Sequence, residues 1–196
     1  MKVGIMGGTF DPLHIGHMLA AEAAREAYGL EQVWFLPSHI PPHKHEAGAT
    51  GAQRLEMVHS AVAGHPAFRV LDWEVARGGV SYTIETVRRL QAEYPQDEFY
   101  FIIGADMVQY LPKWRDIDEL IRRLYFIGVG RPGTPLDLAA LPRHIAQKVL
   151  LADMLQVDIS STVLRSRAAA GKSIRYMVPD AVFDYVQRSG CYGIQP

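Results

Sequence analysis

Cysteine is almost absent from this sequence: Cys191 is the only one in 196 residues. A single thiol cannot close an intrachain disulfide, and a four-thiolate zinc site is excluded with it. Long apolar runs are also missing, and nothing approaches the roughly 20 residues that a membrane-spanning helix needs. Within residues 1–20 the apolar stretch is broken by Gly7-Gly8 and Asp11-Pro12, which predicts no secretory leader. Neither sign of charge is in excess, since 20 Lys+Arg stand against 21 Asp+Glu for a net charge of −1. That balance gives no support to nucleic-acid binding, which rests largely on clustered positive charge. At 48% hydrophobic and 21% charged, the composition is that of a globular protein rather than a disordered one. The expectation is a cytoplasmic protein with no membrane and no nucleic-acid partner; a homo-oligomer is compatible with the sequence.

What is present is an alternation of strand and helix signals. Val3–Met6 is a short apolar run ended by Gly7-Gly8, and Gly16–Tyr28 carries an Ala- and Leu-rich helical stripe that Gly29 can cap. Val33–Leu36 reads as a second strand, and Ser38–Gly51 as a long loop with Pro41-Pro42 and three histidines. A helix over Gln53–Ala63, a strand over Phe68–Leu71 and a helix over Thr83–Tyr94 follow. Phe99–Ile103 and Tyr125–Val129 are near-continuous apolar runs, the mark of strands covered on both faces. Gly130–Pro142 is turn-rich, Leu155–Ile159 is a last strand candidate, and helices are predicted over Ser161–Ala170 and Pro179–Arg188. This order predicts a single domain, residues 1–196, built as a doubly wound, Rossmann-like α/β fold: a parallel sheet with helices on both faces. Ligands of such sheets bind beyond the carboxyl ends of the strands, so the residues just after each strand are the functional candidates.

Behind the first strand stands Gly7-Gly8-Thr9-Phe10-Asp11-Pro12-Leu13-His14-Ile15-Gly16-His17. Adjacent glycines allow backbone amides to approach an anion, and a helix starting near His14–Gly16 points its positive end at the same space. His14 and His17 are three residues apart and share a helix face from which both can donate to phosphate oxygens. Later in the chain, Ile159-Ser160-Ser161-Thr162-Val163-Leu164-Arg165 places hydroxyls at a helix start with a guanidinium one turn on. That arrangement is a phosphate cradle or a plain N-cap. Trp114, after Leu111-Pro112-Lys113, either stacks on a heteroaromatic ring or packs in the core. Asp106, in Gly104-Ala105-Asp106, suits a ribose contact or a helix N-terminus, and Lys44 and Arg131 are phosphate ligands or solvated charges. Gly128-Val129-Gly130-Arg131-Pro132-Gly133 fits Gly-x-Gly-x-x-Gly, but Pro132 and Pro135 forbid the prompt helix that a dinucleotide fingerprint needs. His39, His43 and His45 lack a fixed helical spacing and do not read as a metal site.

The segment Thr9-Phe10-Asp11-Pro12 leading into His14-x-Gly16-His17, together with Ile159-Ser160-Ser161-Thr162-x-x-Arg165, resembles the paired signatures of the nucleotidylyltransferase superfamily. Within it the chain is similar to the bacterial nicotinate mononucleotide adenylyltransferases. The segments that carry this are Pro37–Lys44, Ser81-Tyr82-Thr83, Ile103–Asp106, Leu111–Trp114 and Tyr176–Pro179, in the family's order. The resemblance implies transfer of the adenylyl group of ATP to nicotinate mononucleotide, giving nicotinate adenine dinucleotide and pyrophosphate by direct attack. Mg²⁺ would arrive on the ATP phosphates, with no metal ligands on the protein. His14, His17 and Arg165 are implied as catalytic. Gly7, Gly8, Thr9, Phe10, Gly16, Gly104, Asp106, Ile159, Ser160, Ser161 and Thr162 are implied as further ATP contacts. Lys44, Thr83, Tyr110, Trp114 and Arg131 are implied for the mononucleotide. The alternatives are another transferase of the superfamily, such as one acting on phosphopantetheine, and a non-catalytic nucleotide-sensing domain.

Overall fold

A computed structural model describes residues 1–40, 48–130 and 137–193. Six strands form one sheet in the order β3-β2-β1-β4-β5-β6, the order of doubly wound dinucleotide-binding sheets. They are β1 (Lys2–Gly8), β2 (Gln32–Pro37), β3 (Phe68–Val70), β4 (Glu98–Gly104), β5 (Tyr125–Gly130) and β6 (Val149–Asp153). The longer helices are α1 (Ile15–Tyr28), α2 (Gly51–Val62), α4 (Thr83–Glu93), α8 (Ser161–Ala169) and α9 (Asp180–Ser189). Shorter ones are α3 (Trp73–Arg77), α5 (Ala105–Val108), α6 (Ile117–Arg123) and α7 (Arg143–Ala146). β1 pairs in parallel with β4 from Lys2 opposite Glu98 to Met6 opposite Ile102, β4 with β5, and β5 with β6. Strand order changes direction between β1 and β4, the switch point of such sheets.

The chain forms two compact units. The first comprises Met1–Gly7, Leu19–Trp34 and Tyr82–Gln156; the second comprises Gly8–Met18, Phe35–Ser81 and the chain from Val157 onward. Val3, Ile5, Trp34, Phe99, Phe126 and Ile127 form the apolar centre of the first, all essentially inaccessible. Trp34 meets Tyr94 and Phe99 edge-on at centroid distances of 4.9 and 6.1 Å. The second is built on Phe10, Leu13, Met57, Val58, Leu164, Val182 and Val186. Six of the seven buried polar or charged residues described, all except Thr86, also lie there. Burial of polar groups is costly unless each is bonded, so this concentration marks the second unit as the place to look for chemistry.

Helix ends follow local chemistry. Thr50 caps α2 through a reciprocal pair: its Oγ1 accepts from Gln53 N–H, and Gln53 Oε1 accepts from Thr50 N–H. Gly29 and Gly190 take left-handed φ values of 60° and 68° where α1 and α9 stop. Two expectations are corrected. Leu155–Ile159 is not a strand: the sixth strand is Val149–Asp153, which pairs with β5, and Leu155 is 76% exposed. An edge strand shows no two-sided apolar run, so the partner rather than the local pattern decides where it lies. Pro179 stands at the N-cap of α9 rather than at its first helical position.

Candidate functional site

The turn that leaves β1 is held in an uncommon backbone conformation. Phe10 has a φ of 50°, costly for a bulky side chain. Its ring is buried and offsets that cost by packing edge-on against His17 at 5.1 Å and at a tilt against Phe35 at 5.9 Å. Phe10 is therefore a floor beneath His17, and any contact of this residue with a nucleotide runs through its backbone. His14 precedes the first residue of α1, and its N–H donates to Nδ1 of His17, which accepts at 3.1 Å as the third helical residue of a capping box does. With Nδ1 accepting, the neutral His17 ring carries its proton on Nε2. The two imidazoles stack at 3.7 Å. His14 is buried, which pushes its pKa down to about 4, and its Nδ1 has no bonding partner among the described residues. A Cβ on Gly16 would fall 3.0 Å from that nitrogen, so glycine there keeps the space beside it clear.

The second signature is tied to the first by two bonds. Ser161 Oγ donates to the Pro12 carbonyl at 3.0 Å, and Arg165 Nη1 donates to the Asp11 carbonyl at 2.8 Å. Ser160 caps α8, its Oγ accepting from Val163 N–H at 3.3 Å, which leaves Thr162 with an exposed hydroxyl. The phosphate-cradle and N-cap readings of this segment thus divide between residues: Ser160 serves the helix and Ser161 ties the two signatures together. Ile159 lies just before the cap and is half-buried.

Two residues that sequence reasoning missed frame this turn. Asp11, 3% exposed, accepts from Gly48 and Ala49 N–H at 2.7 and 3.0 Å and from the Tyr192 hydroxyl at 2.7 Å. Arg54, 1% exposed, donates to four carbonyls, those of Thr9, Ser38, His39 and Ala49, at 2.7–3.3 Å. Burial pushes the Arg54 guanidinium below its ordinary value. A signal for Arg54 existed: it shares the buried stripe of α2 with Met57, Val58 and Val62, at spacings of 3, 4 and 8. A charged residue on an apolar stripe demands a polar target.

The first unit holds the other candidates. β4 ends at Gly104, where a Cβ would lie 2.6 Å from Asp106 Oδ1, so glycine is what lets that carboxylate fold back over the strand end. Gly7, near the end of β1, likewise has no room for a side chain, because Phe101 stands 2.8 Å from where a Cβ would be. Trp114 is half-buried and stands edge-on to Phe101 and Phe126 at 5.8 and 5.7 Å. Its neighbour Arg115 lies over the Tyr82 ring at 4.3 Å, and Tyr82 is the N-cap of α4, whose first residue is Thr83. Tyr110, 52% exposed, faces the Lys113 ammonium at 5.5 Å. Lys44 and Arg131, assigned above from the resemblance, lie outside the described residues.

No helix of the described residues is long and apolar enough to cross a membrane. A family model described as cytidylyltransferase-like matches residues 5–167. The nicotinate-nucleotide adenylyltransferase of Bacillus subtilis is 43% identical over 97% of this chain and 98% of its own length. A probable nicotinate-nucleotide adenylyltransferase of Geobacillus thermodenitrificans is 48% identical over 98% of this chain and 86% of its own. The Plasmodium falciparum nicotinic acid mononucleotide adenylyltransferase, solved in complex with NaAD, shares the fold, with a TM-score of 0.82 at 18% identity over 99% of this chain and 98% of that one. On relatives 43–48% identical along nearly its whole length, this chain belongs to the nicotinate-nucleotide adenylyltransferase family.

Proposed function

We propose that this chain transfers the adenylyl group of ATP to nicotinate mononucleotide, releasing pyrophosphate and forming nicotinate adenine dinucleotide. The observation that carries the reading is the joining of the two signatures through Ser161–Pro12 and Arg165–Asp11, because it sets one guanidinium beside two imidazoles' turn. An oxygen of the mononucleotide phosphate attacks the α-phosphorus in line; a P–O bond forms there while the bond to the β-phosphate oxygen breaks. That nucleophile is already anionic at neutral pH, so no general base and no covalent intermediate is needed. The catalytic demand is positioning and stabilisation of charge on the phosphates. His17 Nε2–H and the free donors of Arg165 supply this, and His14, kept neutral by burial, acts as a hydrogen-bonding group rather than as a cation. Backbone amides at Gly8–Thr9 and at the start of α8, with the Thr162 hydroxyl, hold the phosphate oxygens.

Mg²⁺ belongs to the ATP in this reading. Among the described residues no three His, Cys, Asp or Glu side chains gather as a metal site, and Asp11 is already committed to three hydrogen bonds. Trp114 stacks on the pyridine ring, with Thr83 and the backbone near Tyr110 facing its carboxylate; Asp106 takes the adenosine ribose, and Lys44 and Arg131 take substrate oxygens. All 196 residues work as one nucleotidylyltransferase domain, in the cytoplasm. The test is pyrophosphate release on mixing ATP in turn with nicotinate mononucleotide, its amide and phosphopantetheine. Release with the first acceptor at the highest kcat/KM is expected, and preference for phosphopantetheine overturns the reading.

A further inference from the structure

Tyr192 stands 181 residues from Asp11 in sequence, yet its hydroxyl donates to Asp11 Oδ1 at 2.7 Å. Its backbone is left-handed, φ 62° and ψ 23°, a conformation that a non-glycine residue keeps only where other contacts compensate. Burial pushes the phenol far above its ordinary pKa, so the hydroxyl stays a donor throughout the working range. The opposite carboxylate oxygen, Oδ2, receives Gly48 N–H at 2.7 Å and lies 3.6 Å from Arg165 Nη1. Gly48 completes the cluster, since a Cβ there would fall 3.0 Å from Arg165 Cδ and 3.2 Å from Tyr192 Cδ1. Arg165 is about one-third exposed, and among the described residues its Nε and Nη2 carry no hydrogen bond. One edge of the guanidinium is fixed to Asp11 while donors remain for a ligand.

We infer that Tyr192 is a positioning residue for adenylyl transfer, acting through Asp11 to hold the Arg165 guanidinium in the orientation that meets the ATP phosphates. The Asp11 carbonyl holds Arg165 Nη1, and the turn of the guanidinium about that bond follows the carboxylate charge of Oδ2 at 3.6 Å; without the Tyr192 hydroxyl, Oδ1 keeps only the longer Ala49 N–H bond and the carboxylate can turn. Tyr192 and Ala49 N–H pin Oδ1, which leaves Oδ2 directed at Arg165 and Gly48. The inference rests on the reading that Arg165 contacts ATP.

Tyr192→Phe removes the hydroxyl alone and keeps the ring against Gly48. It should lower kcat/KM for ATP by about 5- to 30-fold, a usual coupling between bonded neighbours, and leave KM for the mononucleotide within about twofold. The thermal midpoint should fall by about 3–10 °C, as for loss of one buried bond to a charged group, so a merely structural role is set apart by the comparison with and without Arg165 rather than by stability. In an Arg165→Ala background the same change should alter the rate by less than about twofold, because its target is gone. ATP affinity measured by calorimetry should show the same pattern in the four proteins. Unchanged kcat/KM and ATP affinity in Tyr192→Phe, or equal losses with and without Arg165, would overturn the inference. The reading beneath it fails differently: the unmutated protein then releases no pyrophosphate with nicotinate mononucleotide, and the calorimetric comparison alone decides the role of Tyr192.

Discussion

Both histidines of the first signature are polar side chains on one helix start, but their surroundings divide their work. His17 is fixed by the bond from His14 N–H to its Nδ1 and by the Phe10 ring packed edge-on against it, an arrangement that puts the donor proton of the neutral ring on Nε2. His17→Ala should lower kcat by a factor on the order of 10²–10³, the usual cost of removing one donor to transition-state charge. Steady-state kinetics on a variant with a retained thermal midpoint checks this, and turnover near that of the parent would remove His17 from the mechanism. His14 makes a different prediction, about stability. Its folded pKa of about 4 lies below the ordinary 6.5, so the unfolded chain binds more protons between those values. Stability is therefore complete above about pH 6.5 and is lost as pH falls through about 4, by about 3 kcal/mol for a shift of this size. Urea titrations at pH 7.5 and pH 4 should show that loss in the parent and a smaller one in His14→Asn. Equal losses in the two proteins would mean that His14 is not held neutral.

At the scale of elements, α8 shows one segment doing two jobs. Ser160 caps the helix and Ser161 ties it to Pro12. Ser160→Ala should cost about 1 kcal/mol of stability, the usual worth of an N-cap, and raise KM for ATP by less than about threefold. A tenfold rise in KM with unchanged stability would make its hydroxyl a phosphate ligand instead. The central strands β4 and β5 were readable within a residue or so, because strands covered on both faces are written as uninterrupted apolar runs. The edge strand β6 carries no such run, and the apolar residues of Leu155–Ile159 beyond it do not mark a strand. Short helices such as α5 and α7, four residues each, have too few residues for any periodicity to register. The site divides in the same way. Both signatures were legible because each is contiguous, and its residue types suit phosphate at a helix start. The bonds that Asp11 and Arg54 make were not legible, since their partners lie 15 to 181 residues away along most of those bonds and no spacing encodes them.

For the whole molecule, the decisive property is which pyridine nucleotide it accepts. A carboxylate offers only acceptors and a full negative charge, whereas a carboxamide presents one acceptor oxygen and its own donor. The residues assigned to that end of the substrate are suited to the acid. Thr83 is the first residue of α4, an eleven-residue helix whose amino end carries partial positive charge. Arg115, stacked over the N-cap residue Tyr82, adds a guanidinium at the same helix end, offset in part by Glu85 at 3.8 Å and Asp116 at 3.9 Å. Trp114 is supported edge-on by Phe101 and Phe126, and a stacked ring does not distinguish an acid from an amide. Discrimination should therefore reside with the donors and affinity with the indole. Losing one charge-assisted hydrogen bond costs about 1.5–3 kcal/mol, so kcat/KM should favour the acid mononucleotide by about ten- to a hundredfold. Trp114→Ala should lower kcat/KM for both substrates together and leave most of that ratio in place, whereas Thr83→Val should compress the ratio through loss of activity with the acid. Parallel kinetics with the two mononucleotides on the three proteins decides the matter. A parent enzyme with comparable kcat/KM for acid and amide would remove acid selectivity altogether, and a Trp114 variant in which the ratio collapses would mean that selectivity comes from the ring face rather than from the donors.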